Sequence, residues 1–193
     1  AGWSAGAHGV GSYRGARFGR FRFARTEGLE MAALPQIGMQ PTTFANPLGI
    51  NGFAFVEFAA PDAAGLHELL RRMGFAAVAR HRSRAITRYR QGGVDFLVNE
   101  APDSFAAAFA AQHGPSACGF AIRVADGARA LREVTARGAE PIAGLADTRA
   151  VAAPVIKGIG DCMLYLVTDG SDPFAEYVPI AGADPDPIGY GLT

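Results

Sequence analysis

One pattern occurs twice along this chain, and it limits the possible folds more than any composition figure. Residues 51–62 read NGFAFVEFAAPD, and CGFAIRVAD at 118–126 echoes them. Residues 63–75 read AAGLHELLRRMGF, and GARALREVTARGAEP at 127–141 echoes that helix-like stretch. Gly52 matches Gly119, and Gly74 matches Gly138. An internal repeat sets the architecture, because each copy must be one supersecondary unit that buries its apolar face against the other.

The first copy reads as strand, helix and three strands. In GFAFVEFAA (52–60), Phe53, Phe55, Glu57 and Ala59 alternate with Ala54, Val56, Phe58 and Ala60. Apolar residues on both sides predict a strand covered on two faces. Leu66, Leu69, Leu70 and Met73 have helical spacing, and Gly74 ends the helix. FAAVAR, AITRYRQ and VDFLVNE are three further strands, the last two joined by a tight turn at Gly92-Gly93. The second copy offers EPIAGL, AVAAPVIKG and CMLYLVTD in the same role. SFAAAFAAQH is a connecting helix stopped at Gly114-Pro115.

The fold class predicted is therefore α+β: two βαβββ modules forming one cup-shaped sheet. The modules span residues 46–113 and 114–180, within a domain of 46–180. Residues 1–45, rich in Gly, Ala and Arg, are expected to be a disordered leader, with Met31 and Met39 inside it as alternative starts. A transit peptide or a nucleic-acid arm are the other readings of that composition.

Charge narrows the function. Lys and Arg total 18 and so do Asp and Glu, so no global field favours nucleic acid or an anionic membrane. No apolar run reaches the ~20 residues needed to cross a bilayer, and a cytoplasmic location is expected. Two cysteines, Cys118 and Cys162, are too few for a disulfide scaffold and are read as buried free thiols.

A cup of this kind commonly holds a divalent metal, and redox-active iron needs imidazoles plus a carboxylate with open positions. The four histidines do not supply this. His8 lies in the leader, and His67 sits off the apolar stripe, where it is expected to face solvent. His81 stands among three arginines, and His113 ends a helix. Glu57 is expected to pair with an arginine or to lie at a strand edge; Glu176 falls in a late strand and Asp161 in a turn. Ser116 and Cys118 in HGPSACG lack a neighbouring base and are read as strand entry. QGG and KGIG are turns, since neither carries the glycine-lysine pattern that cradles phosphate. No catalytic, cofactor-binding or metal-binding residue is expected in this chain, and no cofactor.

Several stretches resemble one family. NPLGINGFAFVEFAAPD, HRSRAITRYRQGG, HGPSACGFAIRVAD and IKGIG, in this order and spacing, are similar to the amino-terminal half of bacterial 4-hydroxyphenylpyruvate dioxygenases. The closing DPDPIGYGL is like the segment joining the two halves in that family, so residues 181–193 are expected to be a linker.

The resemblance implies a vicinal-oxygen-chelate fold of four βαβββ modules in two barrels. It implies Fe(II) held by two His and one Glu in the carboxy-terminal barrel only, and conversion of 4-hydroxyphenylpyruvate and O2 to homogentisate and CO2 in tyrosine breakdown. The amino-terminal positions matching the two histidines fall near Phe55 and Gly119, and the carboxylate's counterpart falls near the AEYVPI strand holding Glu176. This chain is then expected to be the non-catalytic half, inactive alone. Its expected partners are its own catalytic barrel and further copies of itself, meeting an apolar surface left exposed. Half of a 4-hydroxymandelate synthase, or a stand-alone two-module binding protein, are the alternatives.

Overall fold

The computed structural model describes residues 45–144 and 148–192. Apart from Ala45, the expected leader lies outside the described residues. The first module comprises β1 (Phe53–Ala59), α1 (Ala64–Arg72), β2 (Ala76–His81), β3 (Ile86–Gln91) and β4 (Val94–Asn99). Helix α2 (Phe105–His113) follows. The second module carries β5 (Ser116–Val124), α3 (Gly127–Ala136), β6 (Val155–Lys157) and β7 (Met163–Thr168), and β8 (Tyr177–Pro179) closes the series.

The repeat is visible in the pairing. In each module the first strand lies parallel to the last: β1 beside β4, and β5 beside β7. The modules join through antiparallel β1 and β5. The eight-stranded sheet has the order β6-β7-β5-β1-β4-β3-β2-β8. It is open, with β6 and β8 at its edges. Both edge strands have three residues, which limits unsatisfied edge length.

The second module departs from its predicted strands. EPIAGL contributes only one bridge, Pro141 to Ile156. Proline has no N–H for a ladder, and Gly144 turns the chain away at φ +79°. AVAAPVIKG contributes only Val155–Lys157, because Pro154 interrupts it in the same way.

Strict alternation in β1 also fails. Register shifts fall between Phe53 and Phe55 and between Glu57 and Phe58. Such bulges insert one residue and re-aim the side chains that follow. Phe53 is consequently 73% exposed, whereas its expected face-mate Phe55 is buried.

Helix boundaries follow local chemistry. The Ser104 hydroxyl accepts from Ala107 N at 3.1 Å and donates to Ala101 O at 2.6 Å, capping α2. Gly114, at φ +74°, ends that helix. Asp126 caps α3 by accepting from Arg129 N at 2.8 Å. Helix α1 packs Leu70 against Phe75, Tyr89 and Val98 on the outer face of the sheet. Burial of a leucine of this kind contributes about 1.5–3 kcal/mol. Helix α3 packs Ala130 on Val124 and Leu166, and α2 packs Ala106 and Ala110 on Ala59 and Cys118. The inner face holds the largest core, including Phe55, Val78, Leu97, Met163, Tyr165, Phe174 and Tyr177.

The segment expected as a linker is tied to the first module. Gly92 N donates to Pro187 O at 2.7 Å, and Tyr190 N donates to the Gln91 side-chain oxygen at 2.7 Å. Gln91 is fully buried and donates onward to Met73 O at 2.8 Å. Gly189, at φ +47°, is where this strap passes over Gly74; a Cβ there would meet Gly74 O and the Gln91 stem.

Candidate functional site in the cup

The interior centres on Glu57. Its strand lies mid-sheet between β4 and β5, so the carboxylate is fully buried. Leu97, Glu57, Gly119 and Met163 form one row across four strands. Asn99 and Tyr165 lie two residues beyond Leu97 and Met163, on the same inner face. Asn99 Nδ2 donates to Glu57 Oε1 at 2.6 Å, and the Tyr165 hydroxyl donates to Oε2 at 2.8 Å. Asn99 Oδ1 accepts from Ala101 N at 3.0 Å, which fixes the amide's orientation. The Tyr165 oxygen accepts from Ala150 N at 3.3 Å.

The expectation that Glu57 pairs with an arginine or lies at an edge is therefore corrected: its partners are neutral and its strand is central. Burial pushes its carboxyl above the usual range, against the lowering effect of the two hydrogen bonds. Burial also raises the Tyr165 phenol well above its ordinary value, with the Glu57 charge adding to the effect. This is a closed polar knot inside an apolar core.

A metal held as the resemblance implies would need two imidazoles and a carboxylate here. Phe55 has no donor atom and packs on Tyr165 and Phe174, with ring centroids 5.3 and 5.7 Å apart. Gly119 has no side chain, and a Cβ there would stand 3.2 Å from Glu57 Oε2 and 3.2 Å from the Tyr165 ring. The residues at these positions do not fit such an ion. Among the described residues, no three His, Cys, Asp or Glu form a group able to hold a metal ion.

The other sequence candidates lie apart. His8 is outside the described residues. His67 is not solvent-facing as expected: it sits one helical turn before Leu70 on the inner side of α1. Its Nδ1 is 2.7 Å from the Tyr89 hydroxyl and its Nε2 2.9 Å from Glu100. His81 ends β2 and is buried, with Nδ1 accepting from Ser83 N at 3.2 Å. Its Nε2 makes a long 3.4 Å contact with Glu176. Burial first, and then Arg84, hold the His81 pKa below its usual value.

Glu176 thus lies at the β2–β8 edge, away from Glu57. His113 ends α2 with its ring 4.3 Å from Phe109. Asp161 pairs with Lys157 at 2.7 Å on the surface. Ser116 donates to Gly114 O at 3.0 Å. Cys118 is buried, its thiol directed at Glu57 O, and burial pushes its pKa far up. Cys162 is a buried free thiol as well. HGPSACG is therefore a helix end and a strand entry.

Sequence reasoning missed Tyr165 and Asn99 as partners of Glu57. Their strands were legible, but neither β4 nor β7 carries a signal for its register against β1. The His67 contacts were accessible to helical spacing, through its distance from Leu70.

Paired βαβββ modules with parallel first and last strands, joined through their first strands, define a domain of the vicinal-oxygen-chelate class. The family model described as hydroxyphenylpyruvate dioxygenase, N-terminal, matches residues 44–177, and the chain belongs to that family. A 4-hydroxyphenylpyruvate dioxygenase of Pseudomonas sp. (strain P.J. 874) is 40% identical over 153 residues, covering 77% of this chain and 43% of the relative. The chain thus spans less than half the length of that relative.

Among solved structures, a xylose isomerase-like TIM barrel/4-hydroxyphenylpyruvate dioxygenase fusion protein matches with a TM-score of 0.64 and 34% identity. The match covers 70% of this chain and 22% of that one. A mutant 4-hydroxymandelate synthase from Streptomyces coelicolor shares the fold, with a TM-score of 0.56 at 22% identity over 68% of this chain and 41% of that one. Among the described residues, no helix is long and apolar enough to cross a membrane.

Proposed function

We propose that this chain is the amino-terminal, non-catalytic part of a 4-hydroxyphenylpyruvate dioxygenase. Iron-dependent conversion of 4-hydroxyphenylpyruvate and O2 to homogentisate and CO2 would be carried by a second pair of modules outside this sequence. The observation that carries the reading is the cup itself. Phe55 and Gly119 stand where the family resemblance assigns metal-binding histidines, and the nearest carboxylate is held by Asn99 and Tyr165. The role left to this domain is to fold, to pack against the catalytic barrel and to provide contacts between copies. Exposed Phe53, Val178, Ile159 and Ile188 support such packing.

The test uses the purified chain with ferrous iron under anaerobic conditions, followed by 4-hydroxyphenylpyruvate and oxygen. No bound iron after dialysis and no homogentisate are expected from the chain alone. Co-expression with the carboxy-terminal half of the Pseudomonas relative is expected to restore turnover. Stoichiometric iron and homogentisate from the chain alone would overturn the reading.

The match to the fusion protein supports a second reading, in which this module belongs to a dioxygenase-like half joined to another enzyme. The coding sequence on either side of the chain separates the two.

A further inference from the structure

We propose that the cleft between α1 and the outer face of the β2–β3 hairpin binds a small organic anion, a carboxylate or a phosphate monoester. The cleft measures about 600 Å³ and lies on the opposite face of the sheet from the Glu57 knot. Arg71, Arg80 and Arg84 line it with one carboxylate, Glu100, and Arg71 is paired with Glu68 at 3.3 Å. Nothing in the reading of the chain as half of a dioxygenase uses these residues.

Two lining residues, Arg80 and Thr87, are placed as an anion site requires. Arg80 on β2 and Thr87 on β3 are direct partners across the strand pair. Arg80 is exposed, and its guanidinium makes no hydrogen bond or ion pair with a described residue. Thr87 is 9% exposed, and its hydroxyl is neither bonded to a described residue nor sealed from solvent. A guanidinium offers forked N–H donors to a carboxylate or phosphate, and a neighbouring hydroxyl adds one more. Arg84 spends one donor on Arg149 O and also lines the cleft.

The remaining wall is pre-organised. Glu100 can only accept, so His67 Nε2–H donates to it, and in the neutral imidazole Nδ1 accepts from the Tyr89 hydroxyl. This chain of bonds ties α1, β3 and the residue after β4 together. It also holds Tyr89 on the cleft wall that Arg71 and Arg80 share. Glu100 is thereby engaged by His67 rather than by the cleft arginines. Ala64, Ala77 and Ala85 are short enough to leave room for an apolar group beside the anion.

The test titrates isotopically labelled full chain with sodium benzoate, inorganic phosphate and, as the uncharged control, benzamide, following backbone amide signals. Benzoate or phosphate is expected to give saturable shifts at Arg80, Thr87 and Tyr89. Arg80→Gln and Thr87→Val are expected each to weaken that binding at least fivefold while leaving the rest of the spectrum in place. The proposal is overturned if neither anion gives shifts confined to the cleft, if benzamide binds as well as benzoate, or if Arg80→Gln leaves the affinity unchanged.

Discussion

Gly119 stands directly across the β1–β5 pair from Glu57, and the absent Cβ is what leaves Glu57 its place beside Tyr165. A methyl group there would come to 3.2 Å from both the Glu57 carboxylate and the Tyr165 ring. The contact with a central strand leaves little freedom to adjust. Gly119→Ala is expected to cost about 1–3 kcal/mol, the range for overpacking a filled core. Urea unfolding of parent and variant measures this, with an unchanged midpoint as the contrary result.

Tyr165→Phe keeps the ring and removes the hydroxyl. Glu57 Oε2 loses its donor and Ala150 N its acceptor, both in the interior. Leaving buried groups unpaired costs about 1–3 kcal/mol. A double-mutant cycle with Glu57→Gln is expected to show coupling, because both changes act on one hydrogen bond.

The Glu57 carboxyl is raised in the folded state by burial, from an ordinary value of 4.5. The folded chain then holds a proton that the unfolded chain releases first. Its contribution to stability is fully present below the ordinary value and is lost as pH rises through the folded value. Glu57→Gln cannot ionise, so its stability is expected to fall less than the parent's as pH rises from 4.5 through the interval in which the folded carboxyl ionises. Denaturant melts at several pH values in that interval measure the difference; parallel curves would contradict it.

Both thiols are buried, and burial raises both pKa values, so little thiolate forms. Cys118 and Cys162 are expected to react with a thiol-specific reagent only as fast as the chain opens. Rapid labelling of the native protein would show that one of them is accessible.

Gln91 accepts from Tyr190 N in the strap and is itself anchored by donating to Met73 O at the end of α1. Gly189→Ala forces a side chain against Gly74 O and the Gln91 stem. The Tyr190 and Gly92 amides are expected to lose hydrogen-exchange protection in that variant while the β1 and β5 amides keep theirs.

The modules were legible because strand and helix periods, and their recurrence, are local properties of the chain. The correspondence of Phe55 and Gly119 to metal-binding positions rested on the family resemblance, not on periodicity. The failures have physical causes. A bulge in β1 between Phe53 and Phe55 turned Phe53 away from the Phe55 face, and Pro141 and Pro154 shortened two strands where apolar runs suggested longer ones. His67 was placed in solvent although its spacing from Leu70 put it on the packed side of α1. Glu57 was given a charged partner because its strand's central place in the sheet is not a local property.

Local periodicity and its recurrence were enough to mark out the two modules and the helix between them. What surrounds Glu57, which strand β8 joins, and the cleft shared by Arg80, Thr87 and the Tyr89–His67–Glu100 chain emerge only in the folded chain. Those relationships join residues far apart in sequence. They depend on strand register and on the order in which strands pair, and neither is encoded in any single segment.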